Sequence, residues 1–241
     1  MRLLRSMLFD FLMFALVPII GIVGLPWAIH SRAGTYKVMK TYVRIVLWLL
    51  RNLCGLTVEV RGTPPTGKVM IAAKHQSFLD VMILFLHLPQ ARFIMKRELR
   101  WVPVFGYYAM RIGSTPVSRG KKGKAVQEMA RDVDAKREEP GQLIIYPEGT
   151  RTLPGAPPKY KIGAGVIYTR TGQPCVLSAT NIGVFWPRRG WVRKPGVAVL
   201  EFLEPVPAGL ALEEFMATIE ARIEEASNRL LEEAGFAGDA A

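Results

Sequence analysis

The chain has 241 residues, half of them hydrophobic, which is enough for one sizeable core and argues against a second full domain. Its net charge of +12 predicts an anionic partner, such as lipid headgroups, a phosphorylated substrate, an acidic carrier protein or nucleic acid. Cys54 and Cys175 have no close Cys or His neighbours, so neither a disulfide framework nor a zinc site is indicated.

The first predicted element is an apolar segment at residues 11–29. It is about as long as the hydrocarbon core of a bilayer is thick, which predicts a membrane segment. Pro18, Gly21, Gly24 and Pro26 interrupt its helix, and no small-residue cleavage site follows in the usual form. These features favour a membrane segment over a cleaved signal peptide.

The next element, residues 36–53, sets apolar side chains among lysines and arginines, which predicts an amphipathic helix at the membrane surface. We therefore expect a two-helix membrane anchor over residues 1–54 and a catalytic domain over residues 55–241. Positive charge is denser after the apolar segment than before it, so a spanning segment would leave the catalytic part in the cytoplasm. A segment that re-enters at Pro18 would leave both flanks there. The alternative is a pair of buried helices in a soluble fold.

Strand-like and helical runs alternate through the rest of the chain, which predicts the α/β class. The strand-like runs are residues 56–60, 69–73, 92–95, 112–117, 143–146, 176–180 and 197–203. Helices are predicted over residues 122–136 and over a C-terminal stretch that ends at Gly235.

His75 falls where a predicted strand turns into a predicted helix, and Asp80 follows it with four residues between. Ser77 and Asp80 fit a capping box, in which the serine starts the helix and the carboxylate folds back toward the helix start. A carboxylate that accepts one imidazole N–H fixes the tautomer, and the other nitrogen can then remove a proton from a hydroxyl. The alternative is that Asp80 only caps a helix and His75 is an ordinary turn residue.

A second pattern is a buried strand that ends in a proline and glycine turn carrying Glu148 and Arg151. Ligands of open α/β sheets bind outside the carboxyl ends of the strands. Arg151 could hold a phosphate there in a bidentate manner, while Glu148 orients it or a substrate hydroxyl. The alternative is a surface turn with a local Glu–Arg pair.

The two patterns together resemble the glycerolipid acyltransferases, in particular the bacterial 1-acyl-sn-glycerol-3-phosphate (lysophosphatidic acid) acyltransferases. The resemblance covers roughly residues 56–206 and implies a single domain with a central mixed sheet flanked by helices. It also implies that His75 is the catalytic base and Asp80 its support. The resemblance also implicates Lys96, Arg119 and Arg151 in holding the phosphate of the acceptor. The predicted substrate-binding residues are these three with Glu148, Gly149 and Thr150, and no metal is expected.

The resemblance implies transfer of a fatty acyl group from acyl-CoA or acyl carrier protein to the sn-2 hydroxyl of 1-acyl-sn-glycerol 3-phosphate, giving phosphatidic acid without a cofactor. Backbone N–H groups around Ser77 would stabilise the oxyanion. The expected location is the cytoplasmic face of the cell inner membrane, with membrane lipid and lysophosphatidic acid as partners. Lys74 and Tyr146 replace the asparagine and phenylalanine that are more usual in the family.

Several alternatives stay open at this point. The acceptor could be glycerol 3-phosphate or a lyso-ornithine lipid, and the sequence does not fix the acyl donor or the oligomeric state. A non-catalytic membrane scaffold would also fit the apolar N-terminus. Basic patches at residues 119–124 and 188–194 raise the possibility of nucleic acid binding. No nucleic acid is expected, because the chain is apolar at its N-terminus and no nucleic-acid motif accompanies the charge.

Overall fold

The N-terminal region consists of three helices. The structure is a computed structural model that describes residues 1–118, 122–136 and 139–236, without the side chains of residues 122–125. The helices are α1 (Arg2–Val23), α2 (Leu25–His30) and α3 (Arg32–Leu49), followed by a π-helical turn at Leu50–Cys54. Pro18 lies inside α1 without ending it, and the Ser31 side chain caps α3 by accepting a hydrogen bond from the Gly34 N–H.

Strands and helices alternate after Cys54, as the α/β prediction requires. In chain order they are β1 (Leu56–Arg61), β2 (Met70–Ala73), α4 (Leu79–His87), β3 (Ala91–Lys96), α5 (Phe105–Arg111), β4 (Thr115–Val117), α6 (Lys122–Ala135), β5 (Gln142–Ile145), α7 (Gly163–Thr171), β6 (Cys175–Thr180), β7 (Gly196–Val206) and α8 (Leu212–Glu233). All seven predicted strands are confirmed. The fourth is shorter than predicted, because Gly113, with φ +83°, turns the chain between α5 and β4.

The seven strands form one mixed sheet in the order β1-β7-β6-β2-β5-β3-β4. Neighbouring strands are parallel except for β6 and β7, which are antiparallel. In the centre of the sheet, Ile71 of β2 lies opposite Ile144 of β5 and Val176 of β6. Strands β2 to β6 therefore point the same way, and their carboxyl ends share one edge of the sheet.

Alternate residues of each strand point to opposite faces of the sheet, and each face carries its own helices. On one face, Ile71 and Ala73 join a buried cluster with side chains of α1, α3 and α4. On the other face, Met70 and Ala72 join a cluster with side chains of α6, α7 and α8. The N-terminal helices thus lie on one side of the sheet and the C-terminal helix on the other.

The α1 helix is the one helix among the described residues that is long and apolar enough to cross a membrane. In contrast, α3 directs much of its apolar surface inward, since Val43, Val46 and the following Leu50 are buried in the same cluster as β2. Trp48 of α3 is exposed. The two-helix anchor and the boundary at residue 54 stay predictions, although the buried cluster extends across that boundary.

Candidate active site

The loop between β2 and α4 brings His75 and Asp80 together at the carboxyl edge of the sheet. His75 Nδ1 lies 3.1 Å from Asp80 Oδ2. The Asp80 side chain is fully buried, whereas the His75 side chain is 14% exposed. With the carboxylate ionised, Nδ1 carries the hydrogen, and Nε2 is left with a free lone pair. The arrangement has the geometry of a general base and its supporting carboxylate.

Asp80 also binds the backbone of its own loop. Its Oδ2 accepts hydrogen bonds of 2.7 Å from the N–H groups of Gln76 and Ser77. The carboxylate therefore folds back as expected, but Ser77 does not start the helix. Its Oγ accepts from the Leu79 N–H at 3.3 Å, and α4 begins at Leu79. The N–H groups of Gln76 and Ser77 already bind the carboxylate, and an oxyanion role for the N–H groups around Ser77 stays a prediction.

Tyr146, the first residue after β5, stacks on the imidazole. The two ring centroids are 3.9 Å apart, with an angle of 20° between the planes. The Tyr146 hydroxyl is buried without a hydrogen-bond partner among the described residues. Burial raises the pKa of Tyr146 well above its ordinary value, and the negative charge of Asp80 adds to this effect. Tyr146 is therefore neutral and packs against the face of the His75 ring, while Asp80 binds the edge of that ring.

A buried charged network lies directly behind His75. Lys74 Nζ is 2.9 Å from Glu148 Oε1 and 2.7 Å from Glu224 Oε1 of α8. Glu148 also accepts from Thr152 Oγ1 at 2.9 Å and, through Oε2, from the His75 N–H at 3.3 Å. The Lys74 side chain is 3% exposed, so this cation is compensated almost entirely by the two carboxylates.

The hydrogen-bond partners of Glu148 differ from the expected ones, which were Arg151 or a substrate hydroxyl. Its oxygens bind Lys74, Thr152 and the His75 N–H, and no hydrogen bond or ion pair with Arg151 is found among the described residues. Glu148 thus anchors the loop that carries His75. The sequence marked Lys74 as unusual, but it carried no signal for its partner, because Glu224 is 150 residues away on α8.

The turn after β5 has the conformation that its glycine predicts. Gly149 has φ +66°, and its N–H donates to the Tyr146 carbonyl at 2.9 Å, which closes a tight turn. Thr150 and Arg151 follow and are partly exposed. The Arg151 carbonyl accepts from Arg188 Nη1 at 2.9 Å. Its guanidinium has no hydrogen-bond or ion-pair partner within the described part of the chain, so it is available to an anion.

The other predicted cations follow the same edge of the sheet. Lys96 ends β3, two strands from β2, and its side chain is 47% exposed, with Glu98 at 3.6 Å. Because neighbouring strands are about 5 Å apart, the ends of β2 and β3 are separated by about 10 Å across the sheet. Arg119 lies outside the described residues, shortly after β4 ends at Val117. The structure thus brings His75, the turn at residues 148–151 and Lys96 to one edge.

The fold and the site define a class of protein: an α/β protein that holds a histidine against a buried carboxylate at the carboxyl edge of its sheet, with cationic side chains along the same edge. The sequence comparison gives the family within this class. A sequence model described as Acyltransferase matches residues 57–179, half of the chain, and the chain belongs to this family.

Named relatives act on one substrate type. The chain is 30% identical over 167 residues to a 1-acyl-sn-glycerol-3-phosphate acyltransferase of Pseudomonas aeruginosa, a match that covers 68% of this chain and 65% of the relative. It is 31% identical over 161 residues to one of Helicobacter pylori, covering 64% and 67%. It is 28% identical over 170 residues to the human alpha enzyme, covering 68% and 60%. The chain thus spans about two thirds of these relatives.

A solved structure supports the fold. The crystal structure of the 1-acyl-sn-glycerophosphate (LPA) acyltransferase from Thermotoga maritima matches with a TM-score of 0.77. The match covers 95% of this chain and 97% of that chain, at 21% sequence identity. The likeness includes the N-terminal helices as well as the sheet, since so little of either chain lies outside it.

Proposed function

We propose that the protein transfers a fatty acyl group from acyl-CoA or acyl carrier protein to the sn-2 hydroxyl of 1-acyl-sn-glycerol 3-phosphate, forming phosphatidic acid. The observation that carries the proposal is the contact between His75 Nδ1 and the buried Asp80 carboxylate, which leaves Nε2 free to act as a base. Relatives that share the family are 1-acyl-sn-glycerol-3-phosphate acyltransferases, which supports the acceptor.

The chemical step follows from that geometry. Nε2 of His75 takes the proton of the acceptor hydroxyl as its oxygen attacks the thioester carbonyl carbon. The new C–O bond forms, and the tetrahedral intermediate then breaks its C–S bond. The imidazolium returns its proton to the departing thiolate, and the negative charge of Asp80 stabilises the imidazolium in between. The thioester supplies an activated acyl group, so the proposed reaction uses no cofactor and no metal.

The acceptor phosphate would bind along the sheet edge. Arg151 has a free guanidinium, Lys96 is partly exposed, and Arg119 follows the end of the next strand, β4. Gly149 and Thr150 form the turn that presents Arg151. Binding the phosphate there would orient the sn-2 hydroxyl toward His75, and such positioning is a large part of the catalytic effect of a bimolecular enzyme.

The contacts of α1 support a location on one membrane face. Phe9 packs edge-on against Trp186, and farther along the same helix the Gly21 carbonyl accepts a hydrogen bond from the Tyr108 hydroxyl. These contacts are about 18 Å apart along the helix axis. If α1 crossed a bilayer, both of its protein partners would have to enter the hydrocarbon. We therefore propose that α1 lies in the plane of the cytoplasmic face of the inner membrane, where the acyl donors are.

The test is acyl transfer by the purified protein in detergent, with labelled acyl-CoA and lysophosphatidic acid, beside His75→Ala. We expect product from the wild type and none above background from the variant. An active His75→Ala would remove the proposed base. If the wild type gives no product, the same assay with acyl carrier protein as donor, and with glycerol 3-phosphate or a lyso-ornithine lipid as acceptor, identifies the related reaction.

A further inference from the structure

The loop between β6 and β7 is an exposed basic surface that the proposed reaction does not use. We define residues 188–194 as the basic loop. Arg188, Arg189, Trp191 and Lys194 are exposed in it, and Trp191 is 72% exposed. The basic loop lies outside the region that the family model matches. A tryptophan this exposed between cations is unusual on a surface that faces only water.

The basic loop is fixed to the first half of α1. Arg193 is its buried member, and its Nη2 lies 2.6 Å from Asp10 Oδ1. The Arg193 N–H donates to Ser6 Oγ at 2.9 Å. The guanidinium also lies over the Trp186 ring at 4.7 Å, and Trp186 packs against Phe9. The exposed residues of the basic loop are therefore held at a fixed position beside an apolar helix.

The outer surface of the same half of α1 is mostly apolar. Its exposed large apolar side chains are Leu3, Leu4, Met7, Leu8 and Phe11, with Phe14 just beyond, and Arg2 and Arg5 are exposed among them. Apolar side chains flanked by an aromatic ring and by cations are the pattern of a protein surface that enters the boundary between lipid headgroups and acyl chains. The charge also argues against a second copy of this chain as the occupant, since each copy carries +12.

The basic loop also contacts the candidate phosphate site. Arg188 Nη1 donates to the Arg151 carbonyl at 2.9 Å, so the loop that α1 holds also fixes the turn that presents Arg151. We propose that the basic loop is a second membrane contact. In this proposal Trp191 inserts among the headgroups, Arg189 and Lys194 bind the phosphates of anionic phospholipids, and Arg151 is thereby held at the bilayer surface. The proposal rests on the membrane location under the proposed function.

The test measures whether a bilayer covers position 191. A thiol introduced by Trp191→Cys is reacted with a membrane-impermeant thiol reagent on vesicles with phosphatidylglycerol and on vesicles of phosphatidylcholine alone. The native Cys54 and Cys175 are buried and give little background. Arg131→Cys is the matched control, because Arg131 is exposed on α6, on the other face of the sheet. We expect labelling at position 191 to be roughly tenfold slower on the anionic vesicles, with no change at position 131.

Variants that remove positive charge test whether anionic headgroups are what protects the thiol at position 191 from labelling. Arg189→Gln with Lys194→Gln, added to the Trp191→Cys background, should remove the difference between the two vesicle types. Arg131→Gln with Arg170→Gln removes the same charge from the α6 and α7 surface and should leave the difference intact. Equal labelling at positions 191 and 131 on anionic vesicles would overturn the proposal. So would protection that rises with protein concentration in detergent, because a second copy would then be the cover.

Acyl transfer by the same preparations keeps the two proposals apart. A wild type that is inactive toward every acceptor tested, but protected at position 191, would contradict the proposed reaction and leave the membrane contact standing. An active wild type without protection at position 191 would contradict only the membrane contact. Each proposal therefore has an outcome that overturns it alone.

Discussion

A single oxygen of Asp80 organises the loop between β2 and α4. Oδ2 contacts His75 Nδ1 and accepts from the N–H groups of Gln76 and Ser77, so the proposed support of the base also sets the path of the backbone around it. One negative oxygen shared by three groups makes each contact depend on its charge.

Asp80→Asn is expected to lower kcat/KM by about 100- to 10,000-fold, because a neutral amide cannot stabilise the imidazolium and can leave the imidazole in the wrong tautomer. The measurement is steady-state acyl transfer, with circular dichroism to show that the variant is folded. A folded variant within a few fold of wild-type activity would contradict the role of Asp80.

Tyr146 gives one prediction for stability and one for pH dependence. Tyr146→Phe keeps the ring that stacks on His75 and removes a buried hydroxyl without a partner, so the free energy of unfolding should stay equal or rise by about 1 kcal/mol. The raised pKa keeps the tyrosine neutral, so the pH–rate profile should keep its limbs. Denaturant unfolding and a pH series check both. A limb that disappears in Tyr146→Phe would show that the phenol titrates.

The residue-scale site was predictable where its parts are near in sequence. His75 and Asp80 are five positions apart, and local geometry predicts their contact. The partners of Lys74 were not predictable, because Glu148 comes from the turn after β5 and Glu224 from the last helix. No local pattern indicates which distant carboxylate will compensate a buried cation.

At the scale of elements, the Lys74 network joins α8 to the loop after β2. Glu224 lies on the helix that covers one face of the sheet, and Glu148 follows β5. Tyr160 donates a further hydrogen bond of 2.9 Å to Glu224. The network therefore connects the loop that carries His75 to the turn after β5 and to α8.

Lys74→Met should destabilise the protein by roughly 3–5 kcal/mol, because it leaves two buried carboxylates without their cation. Lys74→Met with Glu224→Gln should recover part of this loss, since one of the two unpaired charges is then removed. Urea unfolding of the three proteins provides the comparison. Arg229→Met, which breaks surface ion pairs with Glu201 and Glu233, is the control and should cost about 1 kcal/mol or less. An equal small effect at both sites would contradict the buried network.

The sequence predicted where the strands lie better than it predicted what each helix packs against. Hydrophobic runs bounded by turn residues predicted every strand, since the central strands are buried on both faces. The amphipathic pattern of α3 does not by itself say what its apolar face meets. In the structure, that face meets the protein core at Val43 and Val46.

At the scale of the whole molecule, one buried cluster extends across residue 54. Phe9, Met13, Val46 and Leu50 share one buried cluster with the strands of the sheet. A sheet face of this size, stripped of its helices, would expose a contiguous apolar surface. The N-terminal helices are therefore part of the folded body, whatever they also do at a membrane.

Truncation tests this statement. A fragment of residues 55–241 should lose cooperative unfolding and bind a hydrophobic dye, because α1 and α3 no longer cover the sheet. A fragment of residues 31–241, which keeps α3, should retain a cooperative transition at a lower Tm. Thermal melts followed by near-ultraviolet circular dichroism distinguish them. A cooperative melt of residues 55–241 equal to that of the full chain would support a boundary at residue 54.

The order of the strands in the sheet could not be predicted from the sequence. Alternating strands and helices suggest parallel pairs, yet β7 turns back against β6 and then pairs with β1, at the far end of the chain in sequence. That pairing depends on contacts between residues more than a hundred positions apart, for which composition and periodicity carry no signal.

The hydrogen bonds of Arg193 with Ser6 and Asp10 of α1 have a consequence for biosynthesis. Ser6 and Asp10 leave the ribosome before their partner in the basic loop, which is synthesised some 180 residues later. At ordinary elongation rates this interval lasts roughly 10 to 40 s. The nascent apolar helix spends that time without its protein partner, and a lipid surface is the environment that suits it. Translation beside the membrane would thus let the body of the enzyme close onto a helix already in place.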